Sequence, residues 1–260
     1  GPKILRQLLF FCVLRAPPRH GGNIRLKLRN FRLSGFYFSW IVKGGLPSLG
    51  RQGLASVATI CLNLAAKGYG DAAIAAMSVV SRVMTMANSA LIGFGQGFQP
   101  VCGFNYGAKL YDRVRQGFRF CVKWGTLFLV AAGILGYIFA PQLVALFRDD
   151  PEVVAFGTVA MRCQCVTFPL AAYALVSNMM TQTMGKTLPA TILAAARQGL
   201  FFIPAVLLMP LWLDQLGVQM AQSVADVLSF ALTLVMMRRV FLNLKAEENA
   251  AMLLRHHRES

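Results

Sequence analysis

The chain has 260 residues, of which 56% are hydrophobic and 14% charged, and carries a formal net charge of +16. Mean hydropathy is +0.55. A soluble domain rarely combines so apolar a composition with so one-sided a charge.

Residues 1–43 form a basic segment with Lys3, Arg6, Arg15, Arg19, Arg25, Lys27, Arg29, Arg32 and Lys43, and no acid. Its apolar run from Leu8 to Leu14 is too short for a signal peptide, and no small-residue cleavage site follows. The run reads instead as the remnant of an upstream helix, and the basic segment suits anionic headgroups. Six long apolar stretches follow at 44–66, 72–100, 118–140, 153–183, 187–213 and 216–239. A helix needs about 20 residues to cross a hydrocarbon core of about 30 Å, so each stretch suffices for a span. The predicted organisation is a basic segment at 1–43, a six-helix transmembrane bundle at 44–240 and a cytoplasmic tail at 241–260.

The loops set the orientation. After the second stretch come Lys109, Arg113, Arg115, Arg119 and Lys123; Lys186 follows the fourth, and Arg238, Arg239, Lys245, Arg255 and Arg258 follow the sixth. The alternate loops are lean or acidic, with Lys67 and Asp71, then Arg148, Asp149, Asp150 and Glu152, then Asp214. Lys and Arg stay on the cytoplasmic side, which predicts a multi-pass protein of the plasma membrane with both termini inside. Topology accounts for the basic charge, so no nucleic-acid partner is expected.

Polar residues inside spans mark inward faces. The first stretch has Ser48, Gln52, Ser56, Thr59 and Asn63; the second has Ser78, Arg82, Thr85, Ser89 and Gln96. The fourth has Arg162, Ser177, Asn178, Thr181 and Gln182, and the sixth has Gln215, Gln219, Gln222, Asp226, Ser229 and Thr233. Spacings of three or four put each set on one helical face. Interhelical hydrogen bonding explains one such stripe; four suggest a polar, wet cavity. Gln52, Asn63, Asn178, Gln182, Gln222 and Asp226 are the expected pathway residues, sharing one side of the bundle.

Arg51, Arg82, Arg162 and Arg197 are basic residues within spans, and Asp226 is the one carboxylate well inside. A short connection around Asp214 joins the fifth and sixth stretches, which should pack antiparallel. Arg197 and Asp226 then differ in depth by roughly 5 Å, so an ion pair is expected. It serves either as a static clamp or in transport. Gly93, Gly95, Gly97, Pro100, Gly103 and Gly107 cluster at the inner end of the second stretch, predicting close packing and a bend. They match no phosphate-binding loop. Pro169 and Pro204 predict kinks.

Cys12, Cys61, Cys102, Cys121, Cys163 and Cys165 lack paired metal-ligand spacing, and His occurs only at 20, 256 and 257. No metal, cofactor or enzymatic centre is expected within the membrane.

Together, GLPSLGRQGLASVATICLN (45–63), the stretch from Gly70 to Arg115, RQGLFFIP (197–204) and ADVLSF (225–230) resemble the multidrug and toxic compound extrusion family. The likeness covers roughly residues 21–245; residues 1–20 match nothing recognised. It implies an all-α polytopic protein whose six-helix bundle corresponds to the C-terminal lobe of a twelve-helix transporter. The implied activity is antiport of amphipathic cationic compounds against H+ or Na+. The implied partners are the bilayer and a first six-helix half or a second copy. Some relatives place cation-binding carboxylates on the first and fourth helices of this half, where this chain has no interior acid. A lipid-linked saccharide flippase of the same superfamily, favoured by the four arginines, and a non-transporting remnant are the alternatives.

Overall fold

The computed structural model describes the backbone of residues 35–259 and the side chains of residues 52–249. The expectations for residues 1–34 and for the Arg51 side chain lie outside these. Residues 43–260 form one compact unit.

In chain order the helices are α1 (Gly35–Lys67), α2 (Asp71–Gly107), α3 (Tyr111–Ile138), α4 (Ala140–Ala145), α5 (Pro151–Thr167), α6 (Leu170–Thr183) and α7 (Thr187–Ala195). A π-helical stretch, Ala196–Phe202, then leads into α8 (Ile203–Leu208) and α9 (Pro210–Glu259). Among the described residues α2, α3, the run Thr187–Leu208 and Pro210–Asn249 are each long and apolar enough to cross a membrane. A fifth span arises if α5 and α6 are counted together. The remaining expected span falls on α1, whose side chains are described only in part. The protein is an all-α polytopic membrane protein.

Its surface is that of a membrane protein. Leu211 and Trp212 are 75% and 88% exposed, and Phe104 is 77% exposed. Such residues lose nothing by facing acyl chains. The interior uses small side chains and methionine, with Ala73, Ala76 and Met77 of α2 packed in one core with Phe156 and Ala160 of α5. Close approach also depends on glycine in α3. A Cβ at Gly133 would lie 3.0 Å from the Cys165 carbonyl oxygen, and one at Gly125 would lie 2.8 Å from Leu91. Where water supplies no driving force between helices, such contacts hold the bundle together.

Several boundaries differ from the sequence reading. The stretch 153–183 is not one straight helix: α5 and α6 meet at 58° across Phe168 and Pro169. Pro169 cannot donate a backbone hydrogen bond and crowds the preceding turn, and the chain breaks there. Pro100, by contrast, sits exposed within an uninterrupted α2. Gly93 and Gly97 face open space, so the close packing expected of that cluster is made at Gly95 against Met179 and at Gly103 against Thr183.

The expected tail is helical, and α9 continues through it to Glu259. Acids near its end meet cations from other elements. Arg115 Nη2 lies 2.6 Å from Glu248 Oε2, and Lys186 Nζ lies 3.7 Å from Glu247 Oε1. The Tyr106 hydroxyl donates to Glu247 at 3.4 Å. These contacts join α9 to the C-terminal turn of α2, the first turns of α3 and the α6–α7 loop.

Candidate functional site: a polar cavity around Arg197 and Asp226

The π-helical stretch begins one residue before Arg197. A π turn inserts an extra residue into the helix, and such turns often mark functional positions. A local reason is present: Pro204 has no N–H to give the Leu200 carbonyl four residues earlier, so the regular ladder is already interrupted. The kink expected at Pro204 therefore takes the form of a widened turn upstream of it.

Arg197 reaches across to α9. Its Nε donates to Asp226 Oδ1 at 2.6 Å and its Nη2 donates to Asp226 Oδ2 at 3.3 Å. Gln222, one turn earlier on α9, donates to the same Oδ1 at 3.0 Å. Asp226 is only 4% exposed, whereas the Arg197 side chain keeps 25% of its surface open. The two-point contact fixes the guanidinium plane, and the third donor further compensates the carboxylate for lost water.

The open side of this pair faces a cavity of about 230 Å3. On α1, Ala55, Ala58 and Thr59 line it; on α2, Ser81, Thr85 and Asn88 do. Gln164 of α5, Gln198 beside Arg197, and Gln222 of α9 complete the polar wall. The Asn88 Oδ1 atom is buried there without a hydrogen-bond partner among the described residues. A buried amide oxygen left in this state calls for a water or a polar ligand.

Other residues singled out in the sequence lie elsewhere. Gln52 and Asn63 are exposed and do not line this cavity. Asn178 instead donates to the Ala190 carbonyl at 2.7 Å, joining α6 to α7. Gln182 accepts from Gln99 Nε2 at 3.5 Å, joining α6 to α2. Many hydroxyls of the stripes bond to their own helix: Thr85 to the Ser81 carbonyl at 2.7 Å and Thr233 to the Ser229 carbonyl at 2.6 Å. Buried Gln219 donates to the Phe156 carbonyl at 3.2 Å, a structural tie between α5 and α9.

The arginines also separate. Arg82 is exposed. Arg162 is exposed as well, its Nε 3.4 Å from the Tyr137 carbonyl and its guanidinium 5.3 Å from the Tyr137 ring centre. Ring and carbonyl both suit a cation, so Arg162 needs no acid. Among the described side chains, Arg197 is the arginine that lines the cavity. Sequence reasoning missed Gln164 and Gln198, isolated amides that complete no stripe, and Asn88, which shares one helical face with Ser81 and Thr85.

The MatE family model matches residues 47–208. Multidrug export protein MepA of Staphylococcus saprophyticus is 26% identical over 171 residues, covering 65% of this chain and 37% of that protein. The Staphylococcus haemolyticus protein of the same name is 23% identical over 201 residues, covering 76% and 43%. The chain thus spans less than half the length of these curated relatives. Among solved structures, a MATE protein in complex with MaL6 superposes with TM-score 0.84 at 20% identity, over 94% of this chain and 55% of that one. An outward-facing MATE family multidrug resistance transporter of the MOP superfamily gives 0.82 at 20% identity, over 93% and 55%. A match to the family model across most of the bundle, together with this shared fold, shows that the chain belongs to the MatE family.

Proposed function

We propose that this chain forms the C-terminal lobe of a secondary active multidrug efflux antiporter of the plasma membrane, moving amphipathic cationic compounds against H+ or Na+. The observation that carries the reading is the polar cavity around a buried ion pair within an otherwise apolar helical bundle. Relatives named as multidrug export proteins support the efflux reading. A lipid-linked saccharide flippase would favour a cationic cavity for pyrophosphate, but Arg197 is already neutralised by Asp226.

The lobe works against a second six-helix bundle, or a second copy. Exposed Gln52, Thr59 and Asn63 on α1 and Ser81, Arg82 and Thr85 on α2 support this. A polar surface of this kind is costly against acyl chains and is relieved when it faces a partner or a water-filled path. The test is efflux of an organic cation dye from proteoliposomes under an imposed H+ or Na+ gradient. The chain alone should be inactive, and the chain co-expressed with a first six-helix half should export. Full export by the isolated monomer would refute the lobe reading.

Orientation has its own check. Both termini are placed inside on the Lys/Arg asymmetry. In a background with the native cysteines replaced, an impermeant thiol reagent should label Asp149→Cys and Asp214→Cys from outside intact cells. It should label Arg113→Cys, two residues before Arg115, only after permeabilisation. The reverse pattern would invert the topology.

A further inference from the structure

A second concavity, of about 1020 Å3, lies on a different face of the bundle, between α3, α6 and α9. Its walls are graded. On α9, Ala231, Leu234 and Val235 lie toward the middle of the helix, and Arg238 and Lys245 lie one and three turns further on, with Phe241 and Leu242 between them. On α3, which runs the opposite way, Arg115 and Arg119 stand within the first three turns, with Phe118 between them. Tyr173 of α6 closes the back, its ring packed edge-on against Phe118 with centroids 5.8 Å apart. All the cations therefore gather at one end of the groove, and the remainder is apolar.

The cations are not equivalent. Arg115 is held between Asp112 at 2.5 Å and Glu248 at 2.6 Å. Arg119, Arg238 and Lys245 are exposed and take no part in the ion pairs found among the described residues. The positive-inside rule explains why basic residues occur at this end of the molecule. It does not explain why three of them, from two helices, converge on one concave surface continuous with an apolar trough.

We propose that this groove is a binding site for one anionic phospholipid. Its phosphate lies among Arg119, Arg238 and Lys245, and one acyl chain lies along Leu234, Val235 and Tyr173. A basic pocket between transmembrane helices recognises such headgroups by charge, while buried methylenes add affinity in proportion to area. In the orientation proposed above the lipid belongs to the inner leaflet. The binding itself depends neither on that orientation nor on transport.

The test is native mass spectrometry of the 260-residue chain released from neutral detergent and titrated with phosphatidylglycerol or phosphatidylcholine of matched chains. Phosphatidylglycerol should give a dominant single adduct at concentrations where phosphatidylcholine gives little. Arg119→Gln, Arg238→Gln and Lys245→Gln together should weaken it by about tenfold or more, as expected when several contributions of about 1 kcal/mol per cation are lost. The control, Arg113→Gln with Arg239→Gln, removes charge from residues that do not line the groove and should leave the adduct intact. Equal loss in the control would overturn the site in favour of diffuse attraction. Displacement by millimolar inorganic phosphate would overturn the lipid assignment, because the site would then read phosphate alone. Leu234→Asn, with the cations intact, should also weaken the adduct, and an unchanged adduct would remove the acyl-chain half of the proposal.

Discussion

Replacing Asp226 with Asn should be among the most damaging single substitutions in the bundle. The native carboxylate accepts two hydrogen bonds from Arg197 and one from Gln222. Asn keeps the shape but removes the charge, leaving a guanidinium at membrane depth without its counter-ion. Losing one member of a buried pair costs about 3–5 kcal/mol, and the low end applies because Arg197 is partly open to the cavity. The variant should show a lowered thermal denaturation midpoint in detergent and reduced accumulation in the membrane. Its export in the two-bundle assay should be lost.

The double variant Arg197→Leu with Asp226→Leu separates clamp from transport. Removing both charges removes the desolvation cost as well as the attraction, so most of the stability should return. If the pair is only a clamp, export returns with it; if the pair belongs to the transport path, export stays absent. Wild-type stability in Asp226→Asn alone would sink the pairing as an energetic feature.

This pair was legible in the sequence because few residues constrain it. Two opposite charges deep in consecutive spans, joined by a short connection, have little else to meet. The Ser/Thr stripes were less informative for a physical reason. A hydroxyl within a helix can bond the carbonyl four residues back, as Thr59 does with Ala55 at 2.9 Å and Ser89 with Thr85 at 2.7 Å. Such a residue is satisfied facing lipid, protein or water, so its periodicity alone does not reveal a cavity. Asn178 and Gln182 are ambiguous for another reason. An amide carries donors and an acceptor, which serve equally well to link two helices or to line a path.

Helix irregularities were half legible. Proline marks where a backbone donor is missing, and Pro169 does separate α5 from α6. Whether the chain responds by breaking, widening or continuing depends on what packs around it. Beside Pro204 it widens upstream into the π turn, and through Pro100 it stays helical. The continuation of α9 past residue 240 could not be read from hydropathy; on it, Glu248 and Glu247 meet Arg115 and Lys186, which are distant in the chain.

Gly217→Ala should have the second largest effect, although the position is remote from the cavity. The chain reverses between α8 and the long part of α9 through Met209, Pro210 and Asp214, whose φ of 48° and ψ of −128° are non-helical. Gly217 lies directly on that turn. A Cβ there would sit 2.5 Å from the Met209 carbonyl carbon and oxygen and 2.6 Å from the Pro210 nitrogen. These are backbone atoms and cannot rotate away, so the helices must separate. Overpacking costs about 1–3 kcal/mol, and the upper part of that range is expected here. Asp226 follows Gly217 by nine residues, or about two and a half turns, on the same rigid helix. A displacement at the hairpin is therefore carried toward the 2.6 Å contact with Arg197. Gly217→Ala should lower the denaturation midpoint and also reduce export. Gly97→Ala, where a Cβ meets open space, should change neither. Equal midpoints for the two variants would show that the hairpin does not set the spacing of Arg197 and Asp226.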